Sequence, residues 1–387
     1  MFVAVDVFLG YKWYSIQNAT KQVREQIEAT QQAQQTQNEE NKLNSIRQLM
    51  EEQFANSDHV HTWENGVCTS CGARCQHVHH ALDGTCPDCG ERAKHRYNGG
   101  FCSCGKELVF YDDMLPEEYY QPCEQQGKVE SFTINGALDS DTWAIKQIVV
   151  YTPYGYDPAK QYDVLFLEGG LGNKCNACVS AVWGYNGFTF SMRDIFDNMI
   201  MRGDCAPLIV VGIDGYSKKE TSERDLDGYE QSAYFLRYYT YPFIINNYGT
   251  YAASANEEDV QAARSHFGIG GLSNGGYLAY WGGMRTILDI CSNFLPVAGS
   301  IRAHQTAEKV NAQAEYYRID VLYSGAGLSD TAAYDQTLGD YQILRDNITY
   351  LFEGENCFWC EPPYGHDWIT MSIVTYNALQ VMFVNTL

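Results

Sequence analysis

A serine set between glycines, two histidines downstream of it and a few aspartates have the types and order that suit acyl transfer. Gly271-Leu272-Ser273-Asn274-Gly275 follows the apolar run HFGIG and precedes the helical pattern GYLAYWGGMR. A serine on a sharp strand-to-helix turn exposes its hydroxyl at the edge of a sheet, and flanking glycines remove side chains that would clash there. A hydroxyl becomes a useful nucleophile only when a neighbouring base takes its proton. In such a layout the acid and then the histidine follow the serine, the histidine on a loop after the last strand. His366, in CEPPYGHDW, occupies that place, whereas His304 comes too early and reads as a surface or pocket-wall residue. Asp330 and Asp335 both lie just past the apolar run IDVLYSG; Asp330, closer to the strand end, is the expected acid. Donors to a developing oxyanion are expected from the backbone of Asn274 and from Gly170, in Gly169-Gly170-Leu171-Gly172.

A second set of reactive side chains lies upstream. Three units repeat: HTWENGVCTSCG, HHALDGTCPDCG and HRYNGGFCSCG. In each, a histidine precedes the first cysteine by seven positions: His61/Cys68, His79/Cys86 and His95/Cys102, followed by Cys71, Cys89 and Cys104. With Cys75, these soft and borderline donors suit tetrahedral Zn²⁺, and two or three structural ions are expected over 57–107. A segment this poor in large apolar residues folds with difficulty unless a metal holds it. Catalysis itself calls for no cofactor. The remaining paired cysteines, Cys175/Cys178 and Cys357/Cys360, fall on two loops expected at the catalytic edge. They are read as a second metal or disulfide cluster, or as two independent local pairs. Cys205 and Cys291 read as small buried hydrophobes.

The elements that must carry the serine, acid and histidine are legible as alternation. Short apolar runs at IKQIVVYTP, YDVLFLEGG, APLIVVGID, HFGIGGLS, FLPVAGS, IDVLYSGAG and ITYLFEG alternate with helical patterns such as SMRDIFDNMIMRG and the closing TMSIVTYNALQVMFVNT. Continuous apolar strands between helices predict an α/β fold, a mostly parallel sheet covered on both faces, over 128–387. Residues 108–127 read as an ordered connector and 57–107 as the Cys/His module. Residues 1–56 read as a polar helix or stalk whose first sixteen residues are either the tail of a membrane anchor or a sticky helix start.

Charge narrows the partners. The net charge is −22, and residues 108–387 hold 16 Lys and Arg against 35 Asp and Glu. A surface this acidic repels phosphate backbones, so no nucleic-acid partner is expected, and neutral acylated sugars fit better. The near-neutral Cys/His module suits docking to a protein or a cell wall. The anchor reading and a polymer substrate together favour an extracytoplasmic or cell-surface location.

Taken in order, VVYTPYGYDPAKQYDVLFLEGG, DNMIMRGDCAPLIVVGID, YPFIINNYGTYA with GGLSNGG, SDTAAY and GHDW resemble the feruloyl and acetyl-xylan esterases of carbohydrate esterase family 1. The resemblance spans roughly residues 130–387. It implies an α/β-hydrolase fold, a triad of Ser273, His366 and Asp330, oxyanion donors at Gly170 and Asn274, and hydrolysis of feruloyl or acetyl esters on polysaccharide through an acyl-enzyme. Two positions depart from the family pattern: Glu168 stands where a histidine usually precedes the oxyanion glycines, and Asn274 where a methionine usually follows the nucleophile. Relatives with this layout also transfer acyl groups or cleave amides, and an esterase shell retained for binding alone is the remaining alternative.

Overall fold

The computed structural model describes residues 61–383 apart from 65, 76, 78–80, 99, 139–142, 171–173 and 215–225. The stalk and anchor expected over 1–56 lie outside the described residues. The chain divides into a small unit, Met1–Thr62 with Cys68–Gly72, and a large one, Trp63–Val67 with Ala73–Leu387. Among the described residues no helix is long and apolar enough to cross a membrane.

The large unit is built on one eight-stranded sheet. Its strands are β1 (Lys128–Ala137), β2 (Trp143–Thr152), β3 (Asp163–Glu168), β4 (Leu208–Ile213), β5 (Phe267–Leu272), β6 (Asn293–Val297), β7 (Val321–Gly325) and β8 (Cys357–Cys360). They lie in the order β8-β7-β6-β5-β3-β4-β2-β1. From β8 to β4 all neighbours are parallel; β1 and β2 are antiparallel additions at one edge. Strands β3 to β7 are buried along their whole length, which explains why they read as unbroken apolar runs.

Helices follow as α1 (Met192–Arg202), α2 (226–247), α3 (Glu257–Ala262), α4 (274–286), α5 (Ala303–Asn311), α6 (Tyr334–Asn347) and α7 (Trp368–Leu379). α1 starts on a reciprocal capping box between Ser191 and Asp194 and ends at left-handed Gly203. α2 and α4 each contain a π-helical turn, Leu236–Thr240 and Leu278–Gly283. Because side chains alternate across each strand, two cores form. Phe166, Ile269 and Phe294 pack on one face with Leu278 of α4 and Leu344 of α6; Leu165, Leu167 and Val297 pack on the other with Phe196 of α1 and Ile373 of α7.

Two expected strands need correction. ITYLFEG is not the last strand: Leu351 N–H closes a turn onto the Ile348 carbonyl, and the strand is Cys357-Phe358-Trp359-Cys360. A short apolar run at a helix end has the same composition as a buried strand, so periodicity alone does not separate them. Conversely, β1 is absent from the expected apolar runs, because an edge strand with one wet face reads as polar alternation.

The connector itself is tied down by α7. Asn377 and Gln380 each exchange paired side-chain hydrogen bonds with the backbone of Tyr111 and Val109, and Leu115, Tyr119 and Tyr120 are buried. Upstream of it, two lysines fasten the adjoining Cys/His segment to the start of the sheet. Lys94 Nζ lies 2.7 Å from Asp163, the first residue of β3, and Lys106 Nζ lies 2.6 Å from Asp204, just ahead of β4. Both aspartates are nearly inaccessible, so removing a lysine leaves a buried carboxylate short of its cation. Lys94→Met is expected to lower unfolding free energy by about 2 kcal/mol, read from urea denaturation; an unchanged midpoint and slope would show that this contact contributes nothing.

Candidate active site and metal clusters

Every expected catalytic residue lies at the carboxyl end of a strand. Ser273 directly follows β5 and is the N-cap of α4, with φ 60° and ψ −107°. A non-glycine residue there is strained, and the strain persists only because the surroundings impose it. Gly271 has φ 138°, and a Cβ on it would come within 2.0 Å of the Glu168 carbonyl oxygen; one on Gly275 would come within 2.3 Å of the same atom. On the other side, a Cβ on Gly299 would come within 2.1 Å of the Ser273 carbonyl oxygen. The Ser273 N–H donates to the Val297 carbonyl at 2.8 Å. The elbow is therefore clamped between the ends of β3 and β6, with only glycines admissible at the contacts.

Asp330 and His366 are brought together from separate loops. His366 Nδ1 lies 2.6 Å from Asp330 Oδ2. The other carboxylate oxygen accepts the N–H groups of Ala332 and Ala333 at 3.1 and 3.0 Å. The two loops are joined by backbone bonds from Leu328 to Pro362 and from Ser329 to Tyr364. A Cβ on Gly327 would come within 2.1 Å of the Tyr364 carbonyl oxygen. Asp367 caps α7 by accepting the Thr370 N–H, which fixes the residue after the histidine. The Asp330 side chain is 1 % exposed and that of His366 35 %, so the imidazole is held from behind and open in front. Asp335, the rival acid, is exposed on α6, and His304 is exposed on α5.

Of the oxyanion residues, Gly170 has φ 80° and is buried, and Asn274 is the first residue of α4, its amide at a helix N-terminus. Leu171 and Gly172 lie outside the described residues. The Asn274 side-chain oxygen accepts from the Tyr229 hydroxyl at 3.3 Å.

Glu168, where the resemblance implies a histidine, is buried beneath the elbow at the end of β3. Sequence reasoning missed its counterpart, Lys146 on β2, a lysine within an apolar run and itself buried. Lys146 Nζ donates to the Asp214 carbonyl at 2.9 Å. Burial pushes its ammonium down to about 8, while the Glu168 and Asp214 carboxylates oppose that fall. The departure at 168 is thus matched by a buried cation within the field of the new carboxylate.

Aromatic rings stand beside the histidine loop. Trp183 and Trp368 stack with centroids 4.5 Å apart, and Tyr185 meets Tyr364 edge-on at 5.6 Å. Trp183 and Tyr185 belong to a two-stranded hairpin with Phe188–Phe190. The second cysteine cluster does not assemble. Cys175 and Cys178 form a 3-10 turn packed over Gly212 of β4; Cys357 and Cys360 lie on β8, across β7, β6, β5 and β3 from it. Cys357 faces one core and Cys360 the other, and all four are free thiols. Cys291 is fully buried as expected, and Cys205 only partly.

Three Cys/His groups have ligand atoms within 4.8 Å of one another: His61, Cys68 and Cys71; Cys75, His77, Cys86 and Cys89; and His95, Cys102 and Cys104. In each, histidine Nδ1 faces the second cysteine, at 3.6, 3.5 and 3.3 Å. Donor types and spacing fit a tetrahedral thiolate–imidazole ion. The middle group includes His77, for which the Cys75-x-His77 spacing was the available signal; the expected His79 lies outside the described residues.

The parallel sheet, clamped serine elbow and buried acid–histidine pair define the large unit as an α/β-hydrolase of the serine carboxylic ester hydrolase class. Within that class it resembles the feruloyl esterases of carbohydrate esterase family 1. No family model matches the chain. It is 29% identical over 281 residues to endo-1,4-beta-xylanase Y of Acetivibrio thermocellus, covering 69% of this chain and 24% of that protein. The chain thus spans about a quarter of the curated relative it matches. Its fold matches a mutant feruloyl esterase module from Clostridium thermocellum complexed with sinapinate. That match has a TM-score of 0.60 and 26% identity, covering 72% of this chain and 95% of that one. It also matches a ferulic acid esterase from the anaerobic fungus Anaeromyces mucronatus, with a TM-score of 0.55 and 19% identity over 72% of this chain and 98% of that one, a likeness of fold alone.

The Lys146–Glu168 arrangement makes a double-substitution test. Lys146→Met leaves a buried carboxylate beneath the elbow and is expected to cost about 3 kcal/mol of stability. Lys146→Met/Glu168→Gln should recover at least half of that in chemical denaturation; additive losses would mean the two groups do not interact.

Proposed function

We propose that this protein hydrolyses acyl esters on plant cell-wall polysaccharide such as xylan, with Ser273, His366 and Asp330 as its triad. The observation carrying the proposal is the Asp330–His366 pair at 2.6 Å on loops sharing a sheet edge with the strained Ser273 elbow. With Nδ1 committed to Asp330, His366 Nε2 accepts the Ser273 proton as Oγ bonds to the ester carbonyl carbon. The resulting oxyanion is stabilised by the Asn274 and Gly170 amides. His366 returns the proton to the departing sugar oxygen as the C–O bond breaks, leaving an acyl-serine. Water, deprotonated by the same imidazole, then releases the acid.

A phenolic acyl group is favoured over acetate by the stacked Trp183–Trp368 pair and by Tyr185 and Tyr364 beside the histidine loop. The acidic surface of the domain fits a weakly charged sugar ester and keeps the protein from nucleic acid. Its place of action, by this reading, is outside the cytoplasm, where wall polymer is met.

The assay is release of ferulate, against acetate, from acylated xylan fragments. Ser273→Ala is expected to lower turnover at least about 10³-fold, and Asp330→Asn by roughly 10⁴-fold through loss of the imidazole's orientation. Undiminished turnover in Ser273→Ala would end the proposal.

The Cys/His groups are proposed to hold two or three structural zinc ions, supplying a metal-closed scaffold where apolar burial is scarce. Metal analysis of the full chain should give two to three zinc ions per chain, and strong chelators should lower its melting temperature. Metal-free protein of unchanged melting temperature would reject this reading.

A further inference from the structure

The loop of residues 361–367, between β8 and α7, carries His366 and is tied to the acid loop through its own carbonyls. Pro362 and Tyr364 accept the Leu328 and Ser329 N–H groups at 2.8 and 2.9 Å, and Pro363 accepts from the Ser329 hydroxyl at 2.8 Å. These bonds join the two loops to each other. Near the exit into α7, the Thr370 hydroxyl donates to the Gly365 carbonyl at 2.8 Å. The Tyr364 side chain makes a tie of a different kind: its hydroxyl donates to the carboxylate of Asp113, in the connector.

The backbone on either side of Asp113 is held. Two residues before it, Tyr111 exchanges paired hydrogen bonds with Asn377 of α7. Two residues after it, the Leu115 N–H donates to the Tyr120 hydroxyl at 3.3 Å, and that hydroxyl lies 3.3 Å from Ser372 Oγ of α7. The ring of Phe110 meets Tyr323 of β7 and Phe358 of β8 edge-on, at 6.1 and 5.9 Å. The carboxylate oxygen that accepts the Tyr364 hydroxyl also accepts the Met114 N–H at 2.7 Å. Those two donors, the tyrosine first, hold the Asp113 carboxyl below its usual range, so the acceptor is charged at neutral pH.

Resting on the triad reading above, we infer that Asp113 is a positioning residue: through Tyr364 it holds the loop of His366 in place relative to the Ser273 elbow. The imidazole has two tasks, keeping Nδ1 on Asp330 and presenting Nε2 to the serine. The 2.6 Å contact with Asp330 secures the first. It does not secure the second, because two loops bonded to each other can shift together away from the elbow. Tyr364, two residues ahead of His366, opposes that shift by fastening the loop to a connector that is itself bonded to α7 and packed on β7 and β8. Asp113 stands ahead of residue 130, where the resemblance to the esterases begins, so the site draws on chain outside that span.

The experiment measures kcat and KM of the full chain on a small soluble feruloyl ester. A misplacement of about 1 Å caused far from the chemistry can cost about 10²-fold in rate. For one bond at the surface, Asp113→Ala and Tyr364→Phe are each expected to lower kcat about ten-fold with KM little changed. The double variant should lose no more than either single one, because both remove the same tie. Asp113→Asn, which keeps an acceptor oxygen, should restore most of the loss, a rescue that a general loss of stability would not show. Should Asp113→Ala fail to fold, Tyr364→Phe and its combination with Asp113→Asn carry the same comparison. Unchanged kcat in the single variants, losses that multiply in the double one, or an effect confined to KM would overturn the inference and leave the triad reading intact. Undiminished turnover in Ser273→Ala would instead end the triad reading, and this inference with it.

Discussion

The catalytic architecture depends on one backbone contact, the Glu168 carbonyl wedged between Gly271 and Gly275. This approach has three effects. It forces the glycines of the elbow, because no side chain fits at either position. It holds Ser273 at a positive φ that the residue would not adopt alone. It also joins the end of β3, from which the oxyanion loop departs, to the start of α4, where the Asn274 amide lies. Ser273 and the loop of Gly169 and Gly170 are consequently placed by the same atom, and the contact makes no demand on the side chain at 168. The side chain at 168 is a buried glutamate, and Lys146 on β2 supplies the opposing charge.

The two ends of the sheet divide the labour. Ser273, Asp330 and His366 lie beyond the carboxyl ends of β5, β7 and β8, where strands stop and loops converge. The Cys/His segment between residues 73 and 107 is fastened at the opposite end, through Asp163 and Asp204 at the starts of β3 and β4. Its Cys/His groups thus belong to a segment held at the end of the sheet away from Ser273.

Much of this was legible in the sequence, for identifiable reasons. The elbow, Asp330 and His366 show because each obeys a rule relating strand ends to loop chemistry, and the fully buried strands show because parallel pairing wants apolar residues on both faces. β1 was obscured by its wet face, and β8 because a four-residue strand rich in cysteine and tryptophan imitates a metal pair. Of the four thiols expected to form a rim cluster, two lie on β8 and two on the 3-10 turn packed over β4, and their sequence neighbourhood says nothing about sheet order; β8 is an edge, and β4 lies beyond β3. Lys146 was invisible for a different reason. A buried charge announces itself only when its partner across the sheet is known, and pairing between β2 and β4, which brings Lys146 beside Asp214, is long-range.

An acid–histidine contact alone does not make a catalytic pair, and this protein contains the comparison. His266 Nδ1 lies 2.8 Å from Asp163, nearly the geometry of His366 and Asp330. Asp163, however, is shared with Lys94, so its charge is already countered. The His266 ring is covered by Tyr251, stacked at 3.5 Å between centroids, and its side chain is only 15 % exposed. The pair also lies at the amino end of the sheet, where strands begin and no nucleophile elbow exists. Asp330 by contrast has no cation beyond its histidine among its described ion pairs, and accepts two amide N–H groups that keep its carboxylate oriented. Its histidine side chain is 35 % exposed. A base must be held on one nitrogen and accessible at the other. Of the two pairs, only the one on the loops after β7 and β8 meets both conditions.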